Sequence, residues 1–322
     1  MSYLQTFINA FPGDMAQGLI WGILAIGVYI TYKVLDVADL TIDGTLATGG
    51  AVLVVLVRAG VPLGIALVGA FAAGCLAGFA TGMLHTALGI PAILAGILTQ
   101  IALYSINMRI LGGANMALSS RNYDLMVSSG SIPQSLAVIV VFLAVLIAGL
   151  YWFFGTEYGF TLRATGCNPN MARAQGISTN KSKVIGLVLS NGIVGLAGGL
   201  LTQFEGNADV NKGRGAIVIG LAAVIIGEVL GEIIFRKRFN FVLRLTFTAL
   251  GAVIYFVVIR VALVLPFVEP SDTKLISAII VAIFLAVPYL RKQARTSFRK
   301  AGRQTPLTDE SSAAEEAFAE KQ

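Results

Sequence analysis

Few residues in this 322-residue chain can do chemistry, and they gather in a small number of places. Asp36-Val-Ala-Asp-Leu-Thr-Ile-Asp-Gly-Thr-Leu-Ala-Thr-Gly-Gly50 sets three carboxylates and three threonines ahead of a clean apolar run. Ser190, Asn191, Thr202, Gln203 and Glu205 form a second group, with Asn207 and Asp209 just beyond it. Glu228 and Glu232 stand four apart, on one face of a helix. Carboxylates, hydroxyls and amides of this kind can bind and release a polar solute or a cation. Covalent catalysis is another matter. H-E-x-x-H and G-x-S-x-G are absent, and no cysteine pairs with a histidine for nucleophilic chemistry, so a membrane enzyme is disfavoured. G-x-x-x-x-G-K-[ST] is absent too, so the chain has no phosphate loop of its own. Powered transport would draw on another chain or on an ion gradient.

The elements that must position these groups are membrane helices. Hydrophobic residues make up 56% of the chain and charged residues 12%, against about 25% charged in a soluble domain. Apolar segments run over approximately 16–34, 40–58, 61–84, 90–107, 133–154, 184–205, 216–235, 241–263 and 274–290. Each is near the roughly 20 residues that a spanning helix requires. They are continuous and do not alternate with period two, which excludes a β-barrel. The expected fold class is an all-α polytopic membrane protein of about nine spans. Residues 1–303 form the transmembrane domain, and 304–322 an acidic, disordered tail with Asp309, Glu310, Glu315, Glu316 and Glu320. No cleavable signal peptide is evident, because Met1–Gly13 lacks a basic start.

The net charge of +6 is explained by topology, and nucleic acid is not implied. Arg163, Arg173, Lys181 and Lys183 lie between the fifth and sixth segments, Arg236–Arg238 follow the seventh, and Arg291, Lys292, Arg295, Arg299, Lys300 and Arg303 follow the ninth. Nine alternating spans put all three clusters on one side, which the positive-inside rule makes cytoplasmic. The N-terminus is then outside and the C-terminus inside. Arg58, Arg244 and Arg260 sit near span ends and are expected to snorkel. His85, the single histidine, reads as a residue of a span end. Cys75 and Cys167 predict neither a disulfide nor a metal site. Gly18/Gly22, Gly74/Gly78/Gly82, Gly195/Gly199 and Gly227/Gly231 are spaced for close helix contact, and at least one set is expected at a subunit interface.

Two readings of Asp36–Gly50 stand side by side. One is a plain cytoplasmic turn with Asp and Thr as N-caps. The other is a helix broken inside the membrane, whose freed backbone groups line a polar route.

A polar island, Glu157 to Ser178, separates two long apolar runs. Asn168 is a good N-cap, Pro169 fits the first helical position and Gly176 the residue past the end. The predicted helix has about seven residues and is about 10 Å long.

Leu162-Arg-Ala-Thr-Gly-Cys-Asn-Pro-Asn-Met-Ala-Arg-Ala-Gln-Gly-Ile177 resembles the cytoplasmic loop of permeases of the branched-chain amino acid/ribose class of bacterial ATP-binding cassette importers. Asn191–Leu201, Ala208–Gly215, Gly220–Glu228 and Asp39-Leu-Thr-Ile-Asp-Gly-Thr45 also look like that family, the last like a less characterised subgroup. The resemblance implies a permease fold related to the type II importers and a homodimer enclosing the pathway in the bacterial cytoplasmic membrane. It also implies a cytoplasmic ATPase that holds ATP and Mg, and an extracytoplasmic solute-binding protein; this chain itself takes no cofactor. Arg163 and Arg173 would offer charge to the ATPase, Met171 and Ala172 would fill a groove on it, and Asn168, Pro169 and Gly176 would fix the helix ends. Cys167 departs from the family's usual polar residue and has no assigned role. The pathway residues expected are Asp39, Thr41, Asp43, Thr45, Asn191 and Gln203. A polar path with few fixed charges suits an amino acid or another small polar solute; the subgroup's hint is an amino acid, an aromatic one among them, and sugars and nucleosides stay open. The rival readings are an ion-coupled secondary transporter using Glu228 and Glu232, and a membrane scaffold that transports nothing.

Overall fold

The computed structural model describes residues 3–119, 122–235, 240–263, 272, 275–284 and 286, with side chains from residue 11 onward. The expected tail 304–322 and the basic clusters at 236–238 and 291–303 lie outside the described residues. By contact the chain divides into residues 1–281 and 282–322. In the second unit only 282–284 and 286 are described, and they are helical.

The helices are α1 (Tyr3–Tyr29), α2 (Thr41–Arg58), α3 (Leu63–Thr86), α4 (Ala92–Leu111), α5 (Ile132–Phe154), α6 (Glu157–Cys167), α7 (Pro169–Ala174), α8 (Thr179–Glu205), α9 (Ala216–Phe235), α10 (Phe241–Leu263) and the shorter α11 (Leu275–Phe284). Among the described residues, eight helices are long and apolar enough to cross a membrane, and α11 falls where the ninth segment was expected. Ile65, Val68, Leu76 and Phe79 of α3 and Val141 and Val145 of α5 are exposed. Faces this apolar on helices this long belong against lipid, so this is a multi-pass membrane protein.

α8 is the hub, with α1, α2 and α3 packed around it; α9 and α10 close a second group on α1. Glycine sets the spacing. A Cβ on Gly74 or Gly78 of α3 would lie 2.2 or 2.3 Å from the α8 carbonyls of Asn191 and Leu187. Gly18 and Gly22 meet the backbone of α10 at Val253 and Ala249, Gly195 meets Ala70 of α3, and Gly227 meets Phe247. Each of the four glycine sets thus packs against its own chain. The glycines at these contacts bring helices of a single bundle together in lipid.

Two arginines expected to snorkel do more. Arg260 makes a two-pronged contact with Asp14, Nε to Oδ2 at 2.6 Å and Nη2 to Oδ1 at 2.5 Å, clamping α1 to α10. Arg244 lies 3.5 Å from Glu228.

The connections matter most for the site. α1 widens into a π-helical stretch, Ile30–Val34, and Asp36 then takes φ 54°, a left-handed conformation that short Asp side chains tolerate and that ends the helix. A two-stranded ribbon joins the C-terminal ends of α4 and α8: β1 (Asn115–Ala117) pairs antiparallel with β2 (Asn207–Asp209), with Met116 opposite Ala208. Gly206, at φ 72°, makes the sharp exit from α8 into β2.

Candidate functional site

The polar groups of Asp36–Gly50 fold inward. Leu35 packs against Gly186, and Asp39 reaches Asn191, near the midpoint of α8 and about 18 Å along that helix from its start. α2 therefore begins against the middle of α8. The carboxylate of Asp39 accepts the Thr41 N–H at 2.9 Å through Oδ1 and the Asn191 amide at 2.6 Å through Oδ2. Asn191 Oδ1 accepts the Thr45 hydroxyl at 2.7 Å. The hydroxyls of Thr41 and Thr81 are 2.6 Å apart, and Thr81 donates to Thr99 at 2.9 Å. Asp39 is 2% exposed and Asn191 fully buried. This network ties the start of α2 to α3, α4 and α8, and it unites Asp39, Thr41, Thr45 and Asn191.

Asp43 points elsewhere. Its two oxygens accept the Gly215 and Ile217 N–H groups, each at 2.9 Å. It thereby caps α9 from another helix, countering the positive end of that helix. The segment before α9 thus comes to the level of the α2 start, and the N-terminal ends of α2 and α9 meet there. Gln203 does not join. It is 1% exposed, and both of its amide atoms lack a hydrogen-bond partner among the described residues.

A cavity of about 290 Å³ opens at the meeting point, lined by Asp43, Gly44, Gln100, Tyr104, Asn107 and Arg214 among others. Of the residues expected from sequence only Asp43 reaches it. Gln100, Tyr104 and Asn107 were missed, yet a signal existed: they lie at i, i+4 and i+7 on one face of an otherwise apolar segment.

The polar island folds as two helices. The short one is α7, six residues long, with Asn168 Oδ1 accepting the N–H groups of Asn170 at 3.1 Å and Met171 at 3.0 Å. Gly176 ends it at φ 81°. The expected capping is therefore present, but α6 was not foreseen. Met171 is 63% exposed, whereas Ala172 is 3% exposed. Ala172 therefore seats α7 on its own protein, and Met171 is left on the outer face of the helix. Arg163 lies over the rings of Phe154 and Phe241, at 5.3 and 4.6 Å, and so braces α6 against α5 and α10. Arg173 donates from Nε to the Thr179 hydroxyl at 2.9 Å. Gly166 of α6 rests on the Val34 carbonyl, so close that a Cβ would sit 1.9 Å away. α7 is thereby joined through α6 to the residues that lead to Asp39. Cys167 is exposed.

Nearby, His85 Nδ1 lies 2.8 Å from the Ile90 carbonyl and Nε2 lies 3.1 Å from Lys183 Nζ. The ring is assigned with its proton on Nδ1, which leaves Nε2 to accept from lysine. Glu228 lies 2.6 Å from Lys33, at the α7 end of α1. Glu232 is exposed.

The family model described as branched-chain amino acid transport system / permease component matches residues 14–289. The chain belongs to that family. The permease is 39% identical over 273 residues to a protein named tyrosine transport system permease protein from Clostridioides difficile (strain R20291), covering 84% of this chain and 89% of the relative. It is 31% identical to an uncharacterized protein of Rickettsia prowazekii (strain Madrid E), over 87% of this chain and 98% of the relative. An autoinducer 2 import system permease protein of Yersinia pestis (strain Pestoides F) is 32% identical over 230 residues, covering 70% of this permease and 63% of the relative. No solved structure matches the chain. Family membership makes this permease a transmembrane subunit of an importer for small solutes.

Proposed function

We propose that two copies of this permease enclose the pathway of an ATP-powered importer in the bacterial cytoplasmic membrane, with the N-terminus outside and the C-terminus inside. A separate ATPase engages α7, and an extracytoplasmic protein delivers the solute. The carrying observation is the construction of α7: a capped helix that exposes Met171 and is packed, through Gly166 on Val34, to the segment that ends at Asp39. Closure of the ATPase would push α7 and α6 as one body, held by Arg163, Asn168, Pro169, Arg173, Gly176 and the inward Ala172. The push would shift the start of α2 against α8, a rocking motion at a broken helix. Asp39, Thr41, Asp43, Thr45, Asn191 and Gln203 would form or position the wall of the pathway.

An amino acid is the favoured solute. The family description supports this, as does the relative named for tyrosine transport. The ion-coupled alternative is disfavoured by Glu228, whose carboxylate is held by Lys33 and Arg244 at one end of the bundle, far from the mid-bundle position a coupling carboxylate takes.

Deleting Asn168–Gly176 is expected to abolish both uptake and co-purification of the ATPase. Asp43→Asn and Gln203→Ala should lower uptake while the ATPase stays bound. Uptake that survives the deletion would refute the reading.

A further inference from the structure

We infer that the cavity between α2, α4 and the segment before α9 is a station for the solute, and that it takes the α-amino and α-carboxylate groups of an amino acid. This rests on the importer reading above and goes beyond it by naming the site and the chemistry that recognises the ligand. Three observations carry it. First, Asn107 is 1% exposed, and its Oδ1 has no hydrogen-bond partner, although the side chain lines the cavity. Its Nδ2 is turned to the Gly44 carbonyl at 3.5 Å, which leaves Oδ1 as an unmet acceptor. An ammonium group would satisfy it. Second, Arg214 borders the same cavity, and among the described residues no carboxylate lies within ion-pair distance of it. Asp43 is the other charge on the wall, each of its oxygens accepting one α9 N–H group. The positive charge on the cavity wall is the guanidinium, which suits a carboxylate. Third, Tyr104 lies beneath Arg214, ring centroid to guanidinium 6.0 Å, and offers a face to an apolar or aromatic side chain. The volume of about 290 Å³ lies at the small end for ligand sites. The location, where the N-terminal ends of α2 and α9 meet, resembles the helix ends at which membrane transporters place their solutes. The larger cavity of about 900 Å³ among α2, α3 and α4 is lined by Leu76, Met83, Leu98 and Ile106; it offers no charged group.

The test has two arms. In the first, the importer, reconstituted with its ATPase and binding protein, takes up a radiolabelled mixture of the standard amino acids, and uptake is divided by ATP hydrolysed. Arg214→Gln and Asn107→Leu should each lower that ratio about tenfold, the loss of one charge-assisted contact. Arg214→Lys should recover part of it. Arg58→Gln, at the exposed end of α2, should leave it unchanged. In the second arm, Ser105→Cys, in a protein with Cys75 and Cys167 replaced, is labelled with anionic and cationic methanethiosulfonates. The preference for the anionic reagent should fall about tenfold when Arg214→Gln is added. Unchanged ratios in both arms overturn the proposal. A wild-type complex that keeps its ATPase but imports none of the amino acids overturns the ligand class alone. Absence of the ATPase from the purified complex overturns the importer reading, and this site with it.

Discussion

Replacing Asn191 with leucine will strip the permease of its best-buried anchor, and little folded protein will survive extraction from the membrane. Asn191 gives Asp39 a 2.6 Å hydrogen bond and takes one from Thr45 at 2.7 Å. Asp39 is 2% exposed, and among the described residues no cation lies within ion-pair distance of it. The leucine variant would leave a buried carboxylate held by Thr41 alone, a loss of about 1.5–3 kcal/mol for a hydrogen bond to a charged group. Removing both partners is much less costly than orphaning one. The double variant Asp39→Ala/Asn191→Leu should therefore recover much of the thermal stability, read by size-exclusion chromatography of heated, detergent-solubilised protein. Uptake should stay low, because the start of α2 has lost its tie to α8. A double variant that transports normally would reduce Asp39 and Asn191 to a dispensable pair.

The other large effect comes from a single methyl group. Gly198→Ala places a Cβ 2.0 Å from the Leu46 carbonyl oxygen, and the atom in the way is backbone. Nothing can rotate aside, so α2 and α8 must separate. Overpacking usually costs about 1–3 kcal/mol, and a backbone obstruction belongs at or beyond the top of that range. Gly149→Ala, in α5, is the matched control. Its Cβ meets nothing within 4 Å, and alanine suits a helix interior better by about 1 kcal/mol. Gly198→Ala should lose the monodisperse elution peak that Gly149→Ala retains. Equal behaviour of the two would mean that α2 and α8 do not pack as closely as described.

The local features were legible in the sequence and the long-range ones were not. The cap of α7 could be read directly, because Asn168, Pro169 and Gly176 each act on their own few residues of backbone. The spans were equally plain, because bilayer thickness imposes a length on apolar segments. The network around Asp39 could be suspected from polarity alone. Its wiring could not, since Asp39 and Asn191 are 152 residues apart. Asp43 illustrates the difficulty: four residues from Asp39 and of the same type, it serves α9 instead. The glycine sets were ambiguous for a related reason. Their spacing says that another backbone comes close, and it is silent on whose backbone that is. α6 was missed because Glu157–Cys167 mixes apolar and polar residues without a clear stripe. The cavity residues of α4 share a face, but only the approach of the segment carrying Arg214 turns that face into the wall of a site.

Contact between α7 and the ATPase tests the account most directly. A photo-crosslinking amino acid placed at Met171 should yield an adduct with the ATPase in the intact complex, in an amount that changes when ATP is added. The same group placed at Ile65, on the exposed face of α3, should yield none. A complex that retains its ATPase yet gives no adduct from position 171, with or without ATP, would contradict α7 as the coupling element.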